Sequence, residues 1–89
     1  MTNKSVKQLR LQSQKCINLL EQKSKKYGDS WRIAKLSTLI DMVLVKYGRL
    51  QKLVENPKEN VNKIKSDLQD AANYSFMALQ KLEEENNKK

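Results

Sequence analysis

Apolar residues return every three or four positions along most of the chain, and no stretch alternates as a strand does. Val6, Leu9, Cys16, Leu20 and Tyr27 form one stripe, interrupted by the polar Ser13 and Lys23 and widened by Ile17 and Leu19. This spacing predicts a first helix over about 3–27, stopped at Gly28. Lys25 and Lys26 fall in its last turn, where cations favour the negative end of the helix dipole.

A second helix is expected over about 31–55, capped by Asp29 or Ser30. Leu36, Ile40, Val43, Tyr47, Leu50 and Val54 read as its seam. Leu39, Met42, Leu44, Val45 and Leu53 lie outside that seam and spread apolar surface over most of the circumference. A helix apolar on nearly all sides sits centrally in a bundle or between subunits. A third helix is expected over about 57–84. Asn56 can cap it, Pro57 suits its first position, and Glu59 completes a capping box. Its seam reads Val61, Ile64, Leu68, Ala71, Ser75, Ala78 and Leu82, with a second stripe of Lys63, Asp67, Asp70, Tyr74 and Met77 beside it. A polar tail follows over 83–89. The short connection between the second and third helices favours an antiparallel pair. The expected fold is therefore all-α: a three-helix antiparallel bundle in one domain over 1–89.

Composition narrows the chemistry. Eighty-nine residues bury only about 60% of the surface their unfolded chain exposes. Cys16 is the only cysteine, so no disulfide staples the core, and it reads as a small buried hydrophobe. Oligomerisation is the expected remedy. With no histidine, His-based catalysis and His-ligated zinc are excluded. No apolar run approaches the ~20 residues of a membrane span, and no signal peptide is visible. A soluble, cytoplasmic protein with no membrane partner is expected. The net charge is +8, and residues 1–35 carry nine Lys or Arg against Glu21 and Asp29. Such a field suggests an anionic partner (nucleotide, nucleic acid or anionic membrane) or else a solvated lysine-rich surface.

Three groups of residues can carry chemistry. Asp67 and Asp70 are three apart on one helix face, where they can hold Mg²⁺, meet solvent, or pair with a facing cation. Lys46 and Arg49 share a face of the second helix and suit phosphate, or equally ion pairs with Asp67 and Asp70 on the antiparallel neighbour. Asp41 falls roughly opposite the seam. Trp31, beside Arg32 and near Tyr27, either closes the bundle end or stacks on a base.

The stretch YGDSWRIAKLSTLIDMVLVKYGRL, followed by DLQDAANYSFMALQKLE, resembles the phage-associated nucleotide-modification-associated domain 1 family. The matching positions are Tyr27, Gly28, Ser30, Trp31, Asp41, Lys46, Arg49, Asp70, Asn73 and Tyr74, within about residues 20–82. The resemblance implies a phage or prophage origin and a link to nucleotides. More distantly, DLQDAANY is similar to the last-helix carboxylate motif of MazG-type all-α nucleoside triphosphate pyrophosphohydrolases. The other half of that Mg²⁺ motif has no counterpart beyond Asp41.

The leading expectation is a small phage-type oligomer, in the host cytoplasm, that binds a phosphorylated nucleotide without a cofactor. Tyr27, Trp31, Arg32, Lys46, Arg49, Asn73 and Tyr74 would hold the ligand, and one role would be to sequester a nucleotide second messenger of anti-phage defence. The alternative is a Mg²⁺-dependent pyrophosphohydrolase with Asp41, Asp67 and Asp70 as metal ligands. The third is a basic helical module that binds nucleic acid or inhibits a host enzyme.

Overall fold

The computed structural model describes residues 1–87, apart from the side chain of Tyr27; the last two residues of the polar tail lie outside it. Among the described residues the chain is all-α. Helix α1 spans Asn3–Tyr27, α2 spans Leu36–Leu53 and α3 spans Val61–Asn87, with a 3₁₀ turn at Ser30–Arg32 between α1 and α2.

The helix ends follow local hydrogen bonding. Thr2 caps α1 by accepting from the Ser5 backbone N–H at 3.1 Å. Gly28 closes it with φ +66°, a conformation that favours glycine, while its N–H donates to the Ser24 carbonyl. The second helix begins five residues later than expected. Asp29 and Ser30 are spent on the 3₁₀ turn, whose carbonyls accept from Arg32 and Ile33, and Lys35 then runs extended before Leu36. The third helix also begins late. Asn60 donates its side-chain amide to the Leu53 and Asn56 carbonyls, so residues 54–60 fold as turns instead of the expected capping box. The Asn60 carbonyl accepts the first helical bond, from Ile64.

Helices α2 and α3 run antiparallel, with Lys46 and Arg49 meeting Asp67 and Asp70 at one end and Leu36 and Ile40 meeting Ala78 and Leu82 at the other. Helix α1 packs on α3 through its C-terminal half; its positions 7–15 are all exposed.

The expected seams are turned only partly inward: Leu36, Val43, Leu50, Ile64, Ala71, Ser75 and Ala78 are half-buried and the other seam residues are exposed. Leu39 on α2 and Asp67 on α3 are each 2% exposed, whereas seam residues Tyr47 and Leu68 are 58% and 55% exposed. On α3 the buried residues are Asp67 and Met77 of the second, more polar stripe and Asn73 beside it, while Lys63 at the start of that stripe is exposed. The first stripe and its α2 counterpart form an apolar outer groove lined by Leu36, Ile40, Val43, Ala78, Leu79 and Leu82. Helical spacing fixes that a stripe exists. It does not fix whether the same chain or another one covers it.

Candidate functional site

An ionic cluster ties the three helices together. Lys46 Nζ lies 3.6 Å from Asp67 Oδ1 and 3.2 Å from Asp70 Oδ2. Arg49 Nε lies 3.2 Å from Asp67 Oδ2, an ion pair without hydrogen-bond alignment. From α1, Lys23 Nζ donates to Asp70 Oδ1 at 2.8 Å. Burial pushes the Asp70 carboxyl up, but Lys23 and Lys46 together outweigh it and hold the group below its ordinary value. The pairing of Lys46 and Arg49 with the aspartates, one of the two readings their spacing allowed, is the arrangement in this structure. Both cations expected to meet phosphate already have carboxylate partners.

One side of this cluster opens into a cleft of about 640 Å³ between the C-terminal half of α1, the 28–31 turn, the start of α2 and the middle of α3. That size falls within the roughly 300–1,000 Å³ of small-molecule sites. Trp31, Asn73 and Tyr74 line it, as expected for ligand-holding residues, and so do Lys23 and Asp70. Leu39, Met42 and Met77 supply an apolar wall.

The other expected residues lie elsewhere. Arg32 stacks 4.6 Å over the Trp31 ring and donates to Glu84 at 2.9 Å, while its carbonyl accepts from Lys81. Arg49 is 57% exposed and, like Arg32, does not line the cleft. The Tyr27 side chain lies outside the described residues. Asp41 is exposed, and no group of three or more acidic, cysteine or histidine residues that could hold a metal ion forms among the described residues. Asp67 and Asp70 therefore do not gain Asp41 as a third ligand. Instead Lys46 sits between them.

Asn73, expected as a ligand-holding residue, is also a structural one. It is 4% exposed, and its Nδ2 donates to the Cys16 carbonyl at 2.9 Å. That bond fixes the amide orientation, since a carbonyl can only accept. Its Oδ1 is left buried with no donor. Sequence reasoning missed Lys23 as a site residue; its only signal was a polar gap in the α1 apolar stripe.

No helix among the described residues is long and apolar enough to cross a membrane. No curated protein and no solved structure is significantly similar to the chain. A family model does match, over residues 23–82, about two thirds of the chain and all of the cleft except Ile17, Leu20 and Glu21. The chain belongs to the family described as nucleotide modification associated domain 1.

Proposed function

We propose that the protein binds a nucleotide in the cleft beside Trp31 and Tyr74 and holds it without cleaving it. The observation that carries this reading is the cleft itself, which joins an aromatic pair, an apolar wall and a few polar side chains in a chain of a nucleotide-associated family. Aromatic side chains stack on any base through its π-face. The +8 charge draws anionic ligands toward the molecule from a distance, which requires no cation inside the cleft.

Binding is favoured over hydrolysis by the state of the carboxylates. Metal-assisted pyrophosphate cleavage needs acidic groups free to hold divalent cations. Asp67 and Asp70 instead face Lys23, Lys46 and Arg49, three cations against two anions.

The outer α2–α3 groove supports the second part of the reading: several copies of the chain assemble through it. Burying such apolar surface against another subunit is the remedy open to a short chain without disulfides. An oligomer that holds nucleotides without turning them over suits sequestration of a nucleotide second messenger of anti-phage defence in the host cytoplasm.

Titration with nucleotides, followed by calorimetry and Trp31 fluorescence, tests the binding. Saturable heat with quenching, and no product from triphosphates in Mg²⁺, is the expected result. Pyrophosphate release that disappears in Asp70→Asn would replace the reading with the hydrolase. Duplex binding that weakens steeply with salt, with no nucleotide heat, would replace it with a nucleic-acid module.

A further inference from the structure

The charges that line the cleft run against those of the molecule. The chain carries +8, yet the residues that line the cleft include Glu21, Asp29 and Asp70 against the single cation Lys23. That lysine is itself bonded to Asp70. Neither Glu21 nor Asp29 forms an ion pair among the described residues. Asp70 is balanced by Lys23 and Lys46, so a phosphate placed inside would meet the unpaired negative charge of Glu21 and Asp29.

The buried polar atom points to the same conclusion. Asn73 lines the cleft, and its Oδ1 is a committed acceptor, because Nδ2 is spent on the Cys16 carbonyl. A buried acceptor without a donor is destabilising, and a ligand N–H that reached it as the cleft wall adjusted would relieve that cost. Asp70, one helical turn away on the same element, already faces Lys23 through Oδ1 and Lys46 through Oδ2, and the second lone pair of each carboxylate oxygen makes it a further acceptor. The cleft therefore asks its ligand for hydrogen-bond donors.

We propose that the nucleotide enters base first, with adjacent N–H donors directed at Asn73 and Asp70 and its phosphate left at the solvent side, and that the preferred base is guanine. Among the common bases, only guanine places a ring N–H beside an exocyclic amino group. Adenine and cytosine carry one amino group next to a ring nitrogen that accepts, and this nitrogen would oppose Asn73 Oδ1 or the Asp70 carboxylate. Uracil offers one N–H between two carbonyl oxygens, which are acceptors as well. Trp31 and Tyr74 supply the apolar contact for the ring.

The inference rests on the nucleotide-binding reading, so its test separates the two. Guanosine, GMP, IMP, AMP and inorganic pyrophosphate are titrated into the full chain by calorimetry. GMP should bind about tenfold more tightly than IMP, which lacks the 2-amino group, a difference equal to one hydrogen bond of about 1.4 kcal/mol. AMP should be weaker still, guanosine should stay within a few-fold of GMP, and pyrophosphate should give no heat. Equal affinity for GMP and AMP would overturn the base assignment and leave nucleotide binding standing. Pyrophosphate bound as tightly as GMP would overturn the base-first orientation, and no heat from any nucleotide would remove both readings. Asn73→Ala should abolish the preference for GMP over IMP; unchanged discrimination in a folded variant would overturn the role of Asn73. Circular-dichroism melts establish that it folds, because the Cys16 bond is lost too, and the wild-type series decides the base assignment whatever that variant does.

Discussion

The two faces of the α2–α3 hairpin invert the usual arrangement of a small helical protein. The inner face carries Lys46, Asp67, Asp70 and Asn73 among Leu39, Met42 and Met77. The outer face carries Ile40, Tyr47, Leu68 and Leu79, all of them exposed. Buried charges contribute little to stability on balance, since desolvation offsets their attraction, but they tolerate the loss of one partner badly. Exposed apolar residues contribute nothing to the single chain and gain only when another surface covers them. The inner face therefore sets geometry, and the outer face is the surface through which the proposed association would run.

The largest effect should follow from breaking the inner face on one side only. Asp67→Ala empties the site of a 2%-exposed side chain and leaves Lys46, whose side chain is 15% exposed, with Asp70 as its one remaining carboxylate, while Arg49 can turn to water. A loss of about 2 kcal/mol is expected in urea unfolding, below the roughly 3–5 kcal/mol of a buried charge left wholly uncompensated, because Asp70 still faces Lys46. Lys46→Met with Asp67→Leu should restore most of it, because a well-packed apolar pair can replace a buried ionic one. A loss below about 1 kcal/mol for the single variant would show that the inner face is wet and that the contrast with the outer face is false.

The outer face should respond in association. Ile40→Glu with Leu79→Glu should reduce the particle to a single chain by light scattering. It should also abolish any rise in thermal midpoint with protein concentration, the mark of stability drawn from assembly. The dilute chain itself should change by no more than about 0.5 kcal/mol, as for ordinary surface substitutions. A wild-type chain that stays monomeric at about 100 µM would remove the assembly from the comparison.

Three helices were legible in the chain because a 3.6-residue period survives in sequence, and α1 spans the range that its apolar stripe marked. The inward faces of α2 and α3 were not, because the more apolar stripe of each was assigned to the chain's own core. The site divides similarly. Trp31, Asn73 and Tyr74 stood out through the YGDSW and DLQDAANY stretches, and all three line the cleft. The Asn73 acceptor was hidden, since its orientation depends on the Cys16 backbone carbonyl, 57 positions away, and a carbonyl leaves no sequence signature. Lys46 and Arg49 were legible as a pair, but whether phosphate or aspartate faces them is a question of register between two helices.

Acid sharpens the comparison by a smaller effect. The Asp70 carboxyl sits below its ordinary value in the folded chain, because Lys23 and Lys46 outweigh the effect of burial. As pH falls, the unfolded chain takes up the proton first, so stability falls too. The contribution is fully present above the unfolded value of about 4 and is lost as pH drops through the lower folded value. Unfolding followed from about pH 5 to about pH 3 should therefore be shallower for Asp70→Asn than for wild type. Parallel slopes would mean that Lys23 and Lys46 do not hold the charge, and that the clasp between α1 and α3 rests on Asn73 alone.

The smallest effect belongs to the ion pair outside both faces. Arg32 donates to Glu84 at the open end of the bundle, and Gln80 and Arg32 hold the Glu84 carboxyl below its ordinary value. Exposed pairs of this kind are screened by salt and lose side-chain entropy when they form. Glu84→Gln should leave the thermal midpoint unchanged at moderate salt. Arg32→Ala should also leave it nearly unchanged, but it should alter Trp31 emission, because the guanidinium now lies 4.6 Å over the indole. If Glu84→Gln changed Trp31 emission as much as Arg32→Ala does, the ion pair would be what seats Arg32 on the ring. The rim would then position the aromatic wall of the cleft. If only Arg32→Ala changes it, the stack holds by itself and the cleft wall is set from within the 3₁₀ turn.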